Sequence, residues 1–109
     1  MITWNDFEKI GLHSGTIIDV KPFPEAKKPA YQLTIDFGSM GIRNSSAQIT
    51  QLYLPETLIG KTIIAVLNFP VKKIANFSSE CLVLGVHDEN GAVTLLTTDH
   101  PISNGSKVC

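Results

Sequence analysis

The chain has 109 residues, 43% of them hydrophobic and 17% charged, and its nine basic and ten acidic side chains give a formal net charge of −1. A chain of this length folds as a single domain around one core, and this composition excludes a disordered chain. The longest apolar run, residues 63–67, is too short to cross a bilayer, and the first residues form no secretory signal. We therefore expect one cytoplasmic domain over residues 1–109, not inserted in a membrane.

The charge balance and the two cysteines argue against two classes of protein, strongly basic nucleic-acid-binding proteins and proteins with a cysteine metal site. A pI of about 6.3 argues against a generic electrostatic affinity for nucleic acid, which usually needs a strongly basic domain. Cys81 lies in an apolar run and Cys109 is the last residue, so the pair lacks the spacing of a metal site. We interpret them as a buried hydrophobic residue and a free thiol in a reducing compartment.

The first elements are a short helix and two strands. Residues 3–9, T-W-N-D-F-E-K, predict a helix that Thr3 caps and that must pack on another surface to be stable. Residues 16–21 predict the first strand. Residues 31–37 predict the second, because apolar and polar residues alternate strictly from Tyr31 to Phe37.

The middle of the chain predicts a third strand over residues 42–49 and a fourth over residues 61–67. Between them, Pro55 begins a one-turn helix that ends at Gly60.

Residues 80–86 and 92–96 predict the last two strands, and Asn90-Gly91 between them is a strong hairpin signal. Three strands, a short helix and then further strands is the order of an OB-fold. We predict an all-β fold, a five-stranded closed OB-fold barrel with one short helix between strands 3 and 4, an N-terminal helix and a C-terminal extension.

No residue pattern indicates catalysis. Ser45 and Ser46 lie near Gln48, but the G-x-S-x-G motif is absent and no histidine has a local partner that would make it a base. His87-Asp88-Glu89 precedes Asn90-Gly91, which favours a solvated turn over a metal site. Phosphate-loop and zinc-ligand motifs are absent. We expect a protein that is not an enzyme and that uses no metal and no cofactor.

Residues 68–80, N-F-P-V-K-K-I-A-N-F-S-S-E, mix aromatic, basic and polar side chains between two apolar runs, and three interpretations stay open. Aromatic rings stack on bases while lysines neutralise phosphates. The same phenylalanines can frame an apolar pocket for a peptide, or fill one end of a barrel. The candidate RNA-binding residues are Lys27, Lys28, Arg43, Lys72 and Lys73, although composition favours solvated surface charges.

Three segments, residues 7–18 (F-E-K-I-G-L-H-S-G-T-I-I), 23–38 and 58–80, together resemble one family. They are similar to the tRNA-binding domain, an OB-fold module appended to some methionyl- and phenylalanyl-tRNA synthetases. Residues 45–50, S-S-A-Q-I-T, with N-F-P at 68–70, most resemble the stand-alone members of that family, which are homodimeric protein-export chaperones.

The resemblance implies a barrel whose terminal extensions, residues 1–12 and 98–109, build a two-fold dimer. The apolar residues of these extensions would form the dimer interface: Trp4, Phe7, Ile102 and Val108. The resemblance also implies a set of peptide-binding residues: Ser45, Ser46, Gln48, Asn68, Phe69, Pro70, Phe77, Ser79 and Glu80. One of the two phenylalanines in this set is expected to belong to the core.

Two departures from the family pattern bear on the partner. His13-Ser14 stand where the family usually has Arg-Val, and losing a permanent guanidinium weakens phosphate contact at neutral pH. Asn76 stands where glycine is frequent, and asparagine tolerates a left-handed backbone there.

The favoured hypothesis is therefore a homodimeric chaperone that binds unfolded or extended segments of preproteins, with the export machinery as a further partner. The alternative is a module that binds structured tRNA through a basic face of the same barrel. A third hypothesis is a structural subunit that docks on a synthetase.

Overall fold

The computed structural model describes all 109 residues as two short helices, one 3₁₀ turn and nine strands. The helices are α1 (Trp4–Glu8) and α2 (Pro55–Leu58). The strands are β1 (Leu12–Pro22), β2 (Tyr31–Asp36), β3 (Ile42–Ala47), β4 (Thr62–Val66), β5 (Lys72–Ile74), β6 (Phe77–Ser79), β7 (Leu82–Val83), β8 (Gly85–His87) and β9 (Val93–Leu95). No helix is long and apolar enough to span a membrane.

The central feature is a five-stranded antiparallel sheet in the order β3-β2-β1-β4-β7. The long strand β1 pairs with β4 through its first half and with β2 through its second half, and its register shifts between Ile17 and Asp19. Such an irregularity bends a strand and helps a sheet curl into a barrel. The predicted all-β, five-stranded barrel is thereby confirmed.

The barrel is nearly closed by contacts of the edge strand β3 with the other edge strand, β7, and with residues 80 and 81 just before it. The Glu80 amide donates to the Asn44 carbonyl at 2.8 Å, and the Ser45 hydroxyl donates to the Cys81 carbonyl at 2.9 Å. No regular ladder joins β3 to β7. We call this gap between the two edge strands the seam.

The core follows the predicted alternation. Leu33, Ile35 and Phe37 are fully buried on one face of the β2 segment. Leu58 of α2 is also fully buried, and Pro55 occupies the first turn of that helix as predicted. The short helix between β3 and β4 therefore contributes its one buried side chain to the barrel core.

Helix α1 is capped as the sequence predicts. Thr3 and Asp6 form a reciprocal capping box, in which the Thr3 amide donates to Asp6 Oδ2 at 2.9 Å and the Asp6 amide donates to Thr3 Oγ1 at 3.3 Å. No residue of α1 is buried, and Trp4 is 83% exposed. A helix of one or two turns is not stable alone, so α1 needs a covering surface.

The C-terminal segment, residues 103–108, lies against the part of β1 that β2 leaves uncovered. Backbone hydrogen bonds join Ser14 N to Ser106 O, Gly105 N to Ser14 O and Val108 N to Leu12 O, all at 2.8–2.9 Å. The buried Ser14 hydroxyl donates to Ser103 O at 3.0 Å, and His13 Nδ1 lies 3.0 Å from Gly105 O. The two residues that replace the family's Arg-Val thus hold this segment.

Residues 68–80 are more regular than the sequence suggested. They contain the hairpin β5–β6, in which Lys72 pairs with Ser79 and Ile74 with Phe77. The turn forms, and its left-handed residue is Ala75, at φ 54°, rather than Asn76, the residue whose tolerance of this backbone the sequence indicates.

The predicted strand over residues 80–86 is divided into β7 and β8, of which only β7 joins the central sheet. Strand β8 instead pairs with β9 across the predicted Asn90-Gly91 turn, where Gly91 has a φ of 82°.

Candidate functional site

A groove of about 490 Å³ lies over the seam, and we call it the seam groove. Its first wall is the end of β3 and the residues that follow, Ser46 to Ile49. The opposite wall comes from β7 and the preceding Cys81. The remaining lining residues are Phe69, Pro70, Lys72, Ile74, Ser79, His87 and Val93. Eight of the 14 lining residues are hydrophobic. The buried Ala47, Ile49 and Cys81 form an apolar floor, and polar residues such as the exposed Gln48, Lys72 and His87 form the edges, as in peptide and small-molecule sites.

The structure brings six predicted residues to this groove: Ser46, Gln48, Phe69, Pro70, Ser79 and Lys72. Their elements are distant in sequence, and the curvature of the sheet places them around one concave surface. Ser79 also holds the wall, because its hydroxyl accepts the Ser46 amide at 3.1 Å.

Three predicted peptide-binding residues serve internal contacts instead. The buried Ser45 hydroxyl donates to Cys81 O, and Glu80 Oε1 accepts the Asn44 amide at 2.9 Å. Asn68 holds the segment between α1 and β1: its Oδ1 accepts the Gly11 amide and its Nδ2 donates to Lys9 O, both at 2.7 Å. None of the three lines the seam groove.

The two phenylalanines have different environments. Phe69 is 53% exposed and lines the seam groove. Phe77 is half-buried, and its ring packs against Phe23 with 5.4 Å between centroids. Phe77 borders a separate, smaller hollow, so the structure supports Phe69 as the groove residue and Phe77 as the packing residue.

The predicted basic residues do not form one cluster around the groove. Lys72 lines it, and Lys28 lines an adjoining hollow that shares Gln48, His87 and Val93 with it. Lys27 and Lys73 are exposed on the surface. Arg43 is half-buried and donates from Nη1 to the Leu67 carbonyl at 2.8 Å, which ties its guanidinium to the barrel.

The charge of the groove is one-sided. The lining of the groove and of the adjoining hollow includes Lys28, Lys72 and His87 and no carboxylate. Asp88 follows the groove residue His87 in sequence, but its Oδ1 accepts the amides of Asn90 and Ala92 within its own turn. The groove is therefore locally basic although the chain is slightly acidic.

Sequence reasoning missed several lining residues, among them Ile49, Cys81, Leu82, Val83, His87 and Val93. The apolar members follow strand patterns that equally indicate core, and Cys81 and Ile49 are indeed both buried. Only the position of the seam distinguishes them, and that depends on how the barrel closes.

The two thiols differ in reactivity. Burial raises the pKa of the Cys81 thiol to about 11, whereas Cys109 is exposed. Since the thiolate is the nucleophile, we expect iodoacetamide at pH 8 to alkylate Cys109 and leave Cys81 unmodified in the folded protein. Mass spectrometry of a Cys109→Ser variant checks this: it should remain unlabelled until denaturant is added. Rapid labelling of the folded variant would contradict the burial of Cys81.

Comparison with known proteins defines the class. The model of the family described as "Putative tRNA binding domain" matches residues 12–107, and the chain belongs to this family. The methionine–tRNA ligase of Methanocaldococcus jannaschii is 37% identical over 101 residues, which are 93% of this chain and 15% of the ligase. The chain thus spans about one seventh of the curated relatives that it matches. The predicted family is confirmed, and it is defined by a binding module rather than by a reaction.

Three solved structures match the chain over its whole length. The chaperone CsaA of Bacillus anthracis is 48% identical with a TM-score of 0.94, covering 100% of this chain and 99% of that chain. The CsaA chaperone protein of Picrophilus torridus is 55% identical with a TM-score of 0.93, covering all of both chains. A methionyl-tRNA-synthetase-related protein from Pyrococcus horikoshii is 26% identical with a TM-score of 0.88, covering 100% of this chain and 98% of its own.

Proposed function

We propose that this protein is a cytoplasmic, non-enzymatic chaperone that binds extended segments of unfolded preproteins as a homodimer. The observation that carries the proposal is the seam groove, with its apolar floor, its polar edges and the exposed Phe69 in its lining. An extended peptide suits such a groove, because it offers apolar side chains to the floor and backbone polar groups to the edges.

The similarity to CsaA chaperones supports this function over the synthetase relatives. The two chaperones match the chain from end to end at about half identity, whereas the ligases match it over a small part of their own length. Residues Ser46, Gln48, Phe69, Pro70 and Ser79 would contact the peptide. Ser45, Asn68 and Glu80 would support the walls through their internal hydrogen bonds.

The test is a fluorescence-anisotropy titration with labelled unfolded peptides. Three peptides share the same apolar centre and carry acidic, uncharged or basic flanks. We expect all three to bind and the acidic one to bind best, because Lys72 and Lys28 attract carboxylates. If none of the three binds, the proposed function is wrong.

Binding of tRNA is the second candidate, and the family match favours it. Phosphate contacts would come from the exposed lysines Lys27, Lys28, Lys72 and Lys73. Titration with labelled tRNA at about 50 and 200 mM salt separates the two functions, because several phosphate contacts would lower the affinity steeply over that range. Tight binding that collapses with salt would place tRNA first. No binding at low salt would leave the peptide function alone.

The dimer is the third part of the proposal, and the extensions would form its interface. Trp4 is 83% and Ile102 is 51% exposed in the protomer, while Phe7 and Val108 are half-buried. Exposed apolar residues on an unsupported helix need a covering surface. We expect Trp4→Ser to shift the protein from dimer to monomer in analytical ultracentrifugation.

The matched control is Leu54→Ser, which removes an equally apolar side chain, 59% exposed, outside both extensions. It should leave the dimer intact. A monomeric wild-type protein, or a Trp4→Ser variant that stays dimeric, would contradict this interface.

A further inference from the structure

The outer edge of β3 is covered as far as Ser46 and bare at Gln48, just beyond the end of the strand. Asn44 and Ser46 direct their backbone N–H groups away from β2, toward Glu80 Oε1 at 2.9 Å and Ser79 Oγ at 3.1 Å. Backbone direction alternates along a strand, so Gln48 is the next residue to point outward. The backbone amide and carbonyl of Gln48 form no hydrogen bond within the protein.

This bare edge lies inside the seam groove. Four consecutive residues, Ser46 to Ile49, form one wall of the groove, and Gln48 is exposed there. Native sheets usually cover an edge or place charges on it, because unpaired backbone groups recruit another strand. Here the side chains of Ser79 and Glu80 accept the outward N–H groups of β3 only as far as Ser46. The next outward backbone groups, those of Gln48, are unpaired and lie beside the apolar floor.

We propose that the bound peptide adds to the central sheet as an extra strand on the edge of β3, pairing its backbone with the amide and carbonyl of Gln48. This inference rests on the proposed peptide-binding function and names its binding mode. Side chains on one face of the added strand contact the apolar lining, including the exposed Phe69 and Leu82. Because hydrogen bonds between backbones do not depend on the identity of the side chains, one groove can bind peptides of many different sequences.

The occupant is an extended peptide with acidic flanks, and the charge of the groove supports this choice. Lys72 and His87 line the groove, Lys28 lies beside it, and no carboxylate lines either surface. Neither Lys28 nor Lys72 forms an ion pair within the protein. They are therefore available to a ligand, whereas RNA lacks the repeating N–H and C=O groups that a strand edge pairs with.

The first test measures hydrogen exchange of the Gln48 amide by NMR, with and without a saturating peptide. The probe is a short peptide of alternating leucine and serine with two glutamates at each end. We expect exchange at Gln48 to slow by about ten-fold or more, as for a newly formed ladder bond. Unchanged exchange while the peptide binds elsewhere in the groove overturns the binding mode and leaves the function standing.

The second test uses a matched pair of variants. Gln48→Pro removes the backbone donor, and Gln48→Ala removes only the side chain. We expect Gln48→Pro to weaken peptide binding about ten-fold and to cost more affinity than Gln48→Ala, which keeps the backbone donor. Equal losses in both variants would assign the contact to the side-chain amide and overturn the inference.

If Gln48→Pro fails to fold, modified peptides test whether the peptide pairs with the edge as a strand. The same peptide is N-methylated at alternate residues in two registers, and a strand edge tolerates one register and rejects the other. Equal binding of both registers overturns the proposal. Protection of the Gln48 amide by tRNA also overturns the proposal. Protection that grows with protein concentration in the absence of peptide does so too, because the edge would then pair with a second copy of the chain. Failure of every peptide to bind would instead overturn the proposed function.

Discussion

Replacing Phe69 by alanine is expected to weaken peptide binding by about 30-fold or more while the protein stays folded. An aromatic side chain in the centre of a binding surface commonly contributes about 2 kcal/mol or more, which corresponds to that factor. Phe69 is suited to this role because it is 53% exposed and borders the groove floor beside Pro70. Anisotropy titration measures the loss, and circular dichroism checks the fold.

Phe77→Ala is the matched control, since it truncates the same side chain in the same segment. In the wild type the Phe77 ring packs on the buried Phe23. The Phe77→Ala variant should therefore lose about 2 kcal/mol of stability and keep most of its peptide affinity once folded. A Phe69→Ala variant that binds peptide like the wild type would remove Phe69 from the site. If both variants unfold, the two phenylalanines are structural and the groove has lost its anchor.

Gly15→Ala is expected to lower the free energy of unfolding by about 3 kcal/mol, near the upper end for overpacking a core. A Cβ at Gly15 would lie 2.6 Å from the ring of Phe37 and 2.9 Å from Ile35 Cγ2, and both side chains are fully buried. Gly15 lies in β1 opposite Ile63 of β4, so the strand cannot retreat without breaking the central sheet. Thermal unfolding should show a midpoint lower by about 10 °C or more.

A compensating substitution tests the cause. Phe37→Leu removes the ring that the new methyl group would meet, so the double variant Gly15→Ala/Phe37→Leu should lose less stability than the sum of the two single variants. A strictly additive double variant would mean that contact with Phe37 is not the source of the cost.

The sequence predicts the barrel well where local chemistry and burial agree. The alternation from Tyr31 to Phe37, the proline at the start of α2 and the Asn90-Gly91 turn each correspond to an observed element. These signals depend on neighbours in the chain or on one buried face, which a single sequence displays.

The site was predicted less completely, because its shape depends on closure of the barrel. No feature of the neighbouring sequence distinguishes Gln48, which borders the groove, from Asn68. The side-chain amide of Asn68 instead forms two hydrogen bonds with the segment before β1. Likewise, the hairpin of residues 72–79 has a turn centred on Ala75, a residue with no particular preference for a left-handed backbone. Tertiary packing decides such cases, and composition does not report it.

The pairing of residues 103–108 with Leu12 to Ser14 also has a consequence for the folding kinetics of the chain. The first strand of the barrel cannot be fully paired before residues 103–108 are available, since these partners are about 90 positions away in sequence. Contacts of such long range raise the contact order and slow folding, toward the millisecond-to-second times of other β barrels. During synthesis, the start of β1 therefore keeps one unpaired edge until residues 103–108 emerge, and until then the barrel is exposed to misassembly.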